Sequence, residues 1–238
     1  MKALLLNSGV GQRMGDFTEN NPKCMVPIGK GYTIISRQLT QIAKIGIPEV
    51  VVTVGPFADQ LKAYIESLRL PMDITYVSNP IYRETNYIYS MYLAREHLLD
   101  DILLLHGDLV LECSVLSDLI KSPVSTVAVD STLPLPEKDF KAKLNHGRVA
   151  AIGIEFFGPD CVACQPAYLW RQADFEAWMK AIERFCLSGQ MKVYAENAFN
   201  AQKGAIPLYP LELNGRLCNE IDNPDDLEII SQRFMKTL

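Results

Sequence analysis

The sequence predicts an α/β protein: a mostly parallel, mixed sheet with helices on both faces. Short apolar or β-branched runs recur at 3–6, 49–55, 73–80, 102–105 and 124–129. Between them lie segments whose apolar residues repeat every three or four positions, as on one face of a helix. The connections are short, and strand–helix alternation with short connections builds a parallel sheet covered on both sides.

The elements follow in order. Ala3 to Leu6 is apolar throughout, as a strand buried on both faces must be. Ile35, Leu39, Ile42 and Ile45 mark the first helix, which Gly46 and Pro48 stop. "EVVVTVG" is a β-branched strand ended by Gly55-Pro56, and Leu61, Ile65 and Leu68 give a helix over 57–68. "DITYVSNP" is a third strand; 85–98 reads as a helix capped by Thr85, and 102–105 as a strand running into Gly107-Asp108. A helix over 114–121 and a strand over 124–129 close the regular half. Beyond Pro134 the pattern loosens. "AKLNHGRVAAIGIEF" reads as a hairpin turning at Asn145-His146-Gly147. Phe175, Trp178, Ile182 and Phe185 mark a helix capped by Asp174, and Asn223 caps a last one with Pro224 in its first turn.

Composition narrows the function. The chain has 238 residues, 48% of them apolar, and a net charge of −5. That core is large enough for one elaborated domain. An acidic balance argues against a nucleic-acid groove but leaves room for a local basic pocket. Cys161 and Cys164 form a C-x-x-C pair, but no second pair or nearby histidine completes a zinc set, so the six cysteines read as reduced, mostly buried thiols. The four apolar residues before Asn7 are too few for a signal-peptide core, and no run approaches a membrane span. A cytoplasmic protein without membrane insertion is expected, with homodimerisation left open.

The stretch "NSGVGQRMGDFTENNPKCM" follows the first strand, where ligands bind in such sheets. Gly9 and Gly11 allow positive φ and close backbone approach, so successive N–H groups can face one anion. Arg13 offers a planar fork for phosphate oxygens and Lys23 a point charge. Together they read as a triphosphate cradle. The loop has neither the G-K-[ST] of a Walker loop nor the third glycine of a dinucleotide fingerprint, and Thr53-Val54-Gly55 supplies no acid for a ribose. Taken alone, it reads equally as a glycine-rich turn with solvated Arg and Lys.

"LLLNSGVGQRM…PKCMVPIGK" resembles the signature of the sugar-phosphate and alcohol-phosphate nucleotidyltransferases, L-A-A-G-x-G-x-R-[ML]…P-K-x-[ML]-x-P. Gly9, Gly11, Arg13, Pro22, Lys23 and Pro27 fall on matching positions. Asn7 and Ser8 stand where the family commonly has two alanines, and both are small enough to leave room for a base. "SNPIYRETNYIYSMYLA" resembles a segment of the bacterial phosphocholine-type cytidylyltransferases, N-P-x-Y-x-x-T-N-x-x-Y-S-L-x-x-A. Asn86 and Ser90 lie four apart there, so an amide and a hydroxyl share one helix face and can read a pyrimidine edge or hold a ribose. Without the resemblance they read as solvated polar residues on a capped helix. Asp108 in "LLLHGDLVLE" and Asp222 in "CNEIDNPDDL" resemble the family's Mg²⁺-binding aspartates. A hard cation bridging phosphates needs only one or two carboxylates plus water.

The resemblance covers residues 2 to about 230 and is weak between 134 and 216. It implies a Rossmann-like nucleotidyltransferase fold of the GT-A-like kind: one domain over 1–238, with a CTP-binding core at 1–133, acceptor-binding elements at 134–216, and the second aspartate and last helix at 217–238. It implies transfer of CMP from CTP to a small phosphorylated amine or alcohol, with Arg13 and Lys23 as catalytic residues. Asn7, Ser8, Gly9, Gly11, Asn86 and Ser90 would bind the nucleotide, and Asp108 and Asp222 would hold Mg²⁺. Phosphocholine is the first acceptor implied, recognised by an aromatic and carboxylate set of Tyr168, Trp170, Tyr194, Glu155 and Glu196. The Gln165-Pro166 pair and the missing lysine after "GRVAAIGI" depart from that pattern. They leave room for 2-aminoethylphosphonate or phosphoethanolamine, and behind these a sugar 1-phosphate or a silent nucleotide-binding module. His106 reads as a packed structural histidine.

Overall fold

The computed structural model describes residues 1–237. Its strands are β1 (Lys2–Asn7), β2 (Pro27–Gly29), β3 (Tyr32–Thr33), β4 (Glu49–Val54), β5 (Asp73–Ser78), β6 (Ile102–His106), β7 (Leu109–Leu111), β8 (Thr126–Asp130), β9 (Lys141–Asn145), β10 (Arg148–Gly153), β11 (Cys161–Trp170), β12 (Tyr209–Glu212) and β13 (Cys218–Glu220). Its α-helices are α1 (Ile34–Lys44), α2 (Ala58–Ser67), α3 (Tyr87–Ala94), α4 (Cys113–Lys121), α5 (Gln172–Leu187), α6 (Ala195–Asn200) and α7 (Pro224–Lys236).

Among the described residues one large sheet runs β10-β9-β11-β6-β1-β4-β5, with β8 on β11 and β12 on β8. The strands β6, β1, β4 and β5 are mutually parallel, and β1 lies at the centre with neighbours on both sides. Its side chains alternate as a doubly covered strand requires. Leu4 and Leu6 join the core under α3, α5 and α6, whereas Ala3 and Leu5 join the core under α1, α2 and α4. A third, smaller core packs α7 on β2 around Ile28, Ile230 and Phe234. Among the described residues no helix is long and apolar enough to cross a membrane.

Several expectations are corrected. The helix at 85–98 begins later: Asn86, not Thr85, is the N-cap and accepts from the Tyr87 N–H, and the last turn, Arg95–His97, tightens to 3₁₀. Asp174 is not a cap either. It lies in the first turn of α5 and accepts from the Ser125 hydroxyl at 2.5 Å. The strand expected at 124–129 is present as β8, and it is not a direct neighbour of β6. The ten-residue β11 lies between them, antiparallel to both. Pro166 sits at the register shift between Gln165 and Tyr168 on the β8 side, the one kind of place where a central strand accommodates proline. The hairpin turns as expected, through His146 and Gly147, both at positive φ, in the two-residue geometry that suits strand twist. All six cysteines are free.

Two residues expected at the acceptor belong to this core. Trp170 and Tyr168 are 1% and 0% exposed and pack with Trp178 and Phe199. Trp170→Ala should therefore cost about 3–5 kcal/mol of stability, read from the midpoint of urea unfolding. A wild-type midpoint would return Trp170 to the pocket.

Candidate active site

A cleft of about 670 Å³ opens at the carboxyl ends of β1 and β6 and is lined by Gly9, Gly11, Arg13, Lys23, Asp108 and Asp222. Parallel pairing of β1 with β6 puts the glycine loop beside the His106-Gly107-Asp108 turn, with Leu6 opposite His106. Gly11 has φ +70°, and a β-carbon there would meet the Lys23 β-carbon at 3.0 Å, so only glycine lets the loop lie against that lysine. Gly9 is different. Its φ is not in the left-handed region, and an added β-carbon would meet nothing, so glycine there keeps the cleft open rather than permitting a turn.

Lys23 is delivered by the short 3₁₀ turn Lys23–Met25 behind Pro22. Its Nζ donates to Asp108 Oδ2 at 2.6 Å and to Asp222 Oδ1 at 2.7 Å. Arg13 Nη2 takes the other oxygen of Asp222 at 2.9 Å. Four residues spread over most of the chain thus meet in one charged knot. Burial disfavours the Lys23 ammonium, but Asp108 and Asp222 outweigh it and lift its pKa above the ordinary lysine value. Burial likewise works against ionised Asp108, but Lys23 and His106 hold its carboxyl below the usual range.

The antiparallel pair β7–β13 brings Glu220 opposite Leu109, beside Asp108. Sequence reasoning missed Glu220, although the E-x-D spacing with Asp222 is a strand-face signal. It also read His106 as structural packing. His106 lines the cleft, with Nδ1 3.0 Å from Glu220 Oε1 and a buried Nε2 that has no partner. Burial, then the nearby Asp108 charge, pushes Glu220 up to about 7, while His106 is raised because the Glu220 carboxylate outweighs the cost of burying an imidazolium.

Three of these residues suit a divalent cation. Asp108 Oδ1 is buried without a partner, and one donor atom each from His106, Asp108 and Glu220 lie within 4.8 Å of one another. Carboxylate oxygens are the donors a hard cation takes. Asp222 stands just outside this group, turned to Lys23 and Arg13.

The proposed base-reading residues are arranged less simply. Ser90 is 1% exposed; its hydroxyl is 2.6 Å from Ser8 Oγ and accepts from Asn79 Nδ2 at 3.0 Å. Ser90 supports the loop from below and does not line the cleft. Asn86 does, with Ser8, Asn79 and Thr85, around a side recess of about 170 Å³. Asn7 also lines the cleft, its carboxamide buried and unpartnered.

On the acceptor side, Glu155 and Tyr194 line a second recess of about 420 Å³ together with Asn197 and Lys192, continuous with the cleft through Asn86, Phe140 and Ile154. Glu196 does not reach it. It is 2% exposed, and its carboxylate accepts from Tyr168 Oη at 2.9 Å and from Tyr87 Oη. Tyr87, which sequence reasoning passed over, faces the cleft and packs edge-on against His106 with centroids 4.7 Å apart.

A glycine loop, a lysine and carboxylates thus gather at the strand ends of the sheet, where α/β proteins of this kind bind ligands. Residues 3–192 match the MobA-like NTP transferase domain, and the chain belongs to that family of nucleotidyltransferases. It is 36% identical over 135 residues to the CMP-5'-(3-aminopropyl)phosphonate synthase of Streptomyces rubellomurinus, a match spanning 57% of this chain and 21% of that protein. It is 24% identical over 236 residues to the choline-phosphate cytidylyltransferase of Streptococcus pneumoniae, covering 95% of each. The solved CTP:phosphocholine cytidylyltransferase of Streptococcus pneumoniae superposes with a TM-score of 0.77 at 20% identity, covering 98% of each chain, and shares the fold.

The raised Glu220 fixes a pH dependence. Folding takes up a proton where the folded pKa exceeds the ordinary one, so stability falls as pH rises from 4.5 to about 7. His106, also raised, adds loss of the same sign above its ordinary value. Urea melts in EDTA across that range should show the decline, and Glu220→Gln should flatten it. An unchanged slope in the variant would put the titration elsewhere.

Proposed function

We propose that the protein transfers the cytidylyl group of CTP to a phosphate or phosphonate oxygen of a small acceptor that carries a primary amine. The convergence of Arg13, Lys23, Asp108 and Asp222 in one cleft is the observation that carries this reading. The acceptor oxygen, already anionic, attacks the α-phosphorus in line. The bond to the bridging oxygen breaks, and pyrophosphate leaves with the electron pair. No general base is needed, so rate comes from positioning and charge stabilisation. The Gly9–Gly11 amides and Arg13 take the β- and γ-phosphates. Lys23 places its ammonium against the α-phosphate and, held by two aspartates, stays charged throughout the neutral range. Asp108 and Glu220 would hold Mg²⁺, joined by Asp222 once it turns from Lys23 and Arg13, and the bound ion would supply charge neutralisation at the phosphates. Residues 1–133 would then serve the nucleotide, 134–216 the acceptor, and 217–238 would complete the charged centre.

The acceptor preference rests on the recess walls. A quaternary ammonium held between two ring faces needs each centroid within about 6 Å of the cation, with the faces apart. Phe140 and Tyr194, the rings of the recess, instead pack edge-on with centroids 5.1 Å apart and form one wall, while Tyr87, 6.0 Å from Tyr194, lines the main cleft. Trp170 and Tyr168 are in the core. Glu155 and Asn197 also line the recess, and their oxygens suit the three donors of a primary ammonium. The likeness to the aminopropylphosphonate synthase supports this choice. Phosphocholine remains the second reading, supported by that aromatic wall and by full-length similarity to a choline-phosphate enzyme.

The experiment is pyrophosphate release with CTP and Mg²⁺ against 2-aminoethylphosphonate, 3-aminopropylphosphonate, phosphoethanolamine, phosphocholine and glucose 1-phosphate, with UTP in parallel. Release is expected with CTP and a primary amine. Release with glucose 1-phosphate alone would overturn the acceptor assignment. Asp108→Asn should lower turnover by at least about a hundredfold without unfolding the protein; wild-type turnover would remove Asp108 from the centre. Glu155→Gln should raise the acceptor KM about tenfold and leave the CTP KM unchanged, and parallel changes in both would place Glu155 outside the acceptor recess.

A further inference from the structure

Asn7 is 8% exposed, and both polar atoms of its carboxamide, Nδ2 and Oδ1, are buried without a hydrogen-bond partner. A buried amide left bare costs free energy, so a native protein keeps one only where something else satisfies it. Its place is built. A β-carbon on Gly107 would come 2.1 Å from Asn7 Oδ1, so the glycine leaves the space that the carboxamide fills, while the Asn7 N–H is fixed to Thr53 Oγ1 at 3.0 Å. The side chain lines the main cleft but not the side recess formed by Ser8, Asn79, Thr85 and Asn86.

Recess and cleft meet at Leu6, Gly9, His106 and Asp108, next to Asn7. The recess with its amides and hydroxyls is the place for a planar base, and the glycine loop with Arg13 and Lys23 is the place for phosphates. A nucleotide spanning them lays its sugar on the cleft floor that Asn7 and Gly107 help to line. We propose that the Asn7 carboxamide binds the ribose of the nucleotide through its vicinal hydroxyls. Nδ2 donates to one hydroxyl oxygen and Oδ1 accepts from the other hydroxyl, so the enzyme discriminates ribonucleotides from their deoxy counterparts. A diol offers a donor and an acceptor side by side, as one free amide requires. The assignment rests on the nucleotide-cleft reading above.

The test is binding of CTP and of 2',3'-dideoxy-CTP by the wild-type chain and by Asn7→Ala, followed calorimetrically with Mg²⁺ present. The wild type should favour CTP. In Asn7→Ala the Kd for CTP should rise about tenfold while that for the dideoxy nucleotide moves less than about twofold. The variant removes a buried amide that has no internal partner, so it should unfold at or above the wild-type urea midpoint, which is measured alongside. Equal weakening of both nucleotides, or no weakening of CTP, overturns the ribose contact and leaves the nucleotide cleft standing. Failure of the wild type to bind any nucleoside triphosphate overturns both.

Discussion

Three carboxylates, Asp108, Glu220 and Asp222, are packed into one cleft, and the Lys23 ammonium between two of them makes that tolerable. Like charges at such range repel by several kcal/mol at the dielectric of a protein cleft. With Lys23 at 2.6 and 2.7 Å and Arg13 at 2.9 Å, two of the three gain close cations. Glu220, without a permanent cation, has its pKa raised and leans on His106. The position of Lys23 depends in turn on the left-handed Gly11 beneath it, and Asp108 depends on a strand end fixed by parallel pairing to β1. The charged centre is therefore a property of the whole sheet. A half-buried knot of this kind is weak evidence for stability, since desolvation offsets much of the attraction. Its value lies in orientation.

The parallel half was legible because β1, β4 and β6 are buried on both faces and read as nearly continuous apolar runs, while the edge strand β5 still carries β-branched and aromatic residues. The strand β11 was not legible. "CVACQPAYLW" carries Pro166, which argues against a central strand unless a bulge removes its pairing duty, and a bulge is a tertiary event. That miss carried over to the aromatics. Which way Tyr168 and Trp170 face depends on register after the bulge, so nothing local separates a pocket wall from a core layer. Arg13, Lys23, Asp108 and Asp222 were readable as types in a pattern, and the fold brings them together. Glu220 and Tyr87 depend on long-range pairing, β13 on β7 and α3 against α6, that no spacing in the chain announces.

Asn7 and Ser8 illustrate how a substitution propagates. A hydroxyl at position 8 needs a partner, and Ser90, backed by Asn79, supplies it. Ser90, 1% exposed, holds the loop through this bond and does not line the cleft. The polar pair at the end of β1 therefore redistributes roles among residues that the sequence pattern alone would treat as independent. Gly55 and Gly107 complete the arrangement by leaving out side chains that would strike Ser8 and Asn7.

The short ladder between β7 and β13 has a consequence for how the molecule comes into being. It lies outside the large sheet, and its second strand falls at Cys218–Glu220, late in the chain. A ribosome completes the glycine loop, β6 and the acceptor recess well before it releases Glu220 and Asp222. Until then Lys23 and Asp108 face each other without the rest of their centre. Loss of the segment from Cys218 onward would take Glu220 and Asp222 from the centre and Ile221, Ile230 and Phe234 from the third core, so the chemistry and part of the packing arrive together.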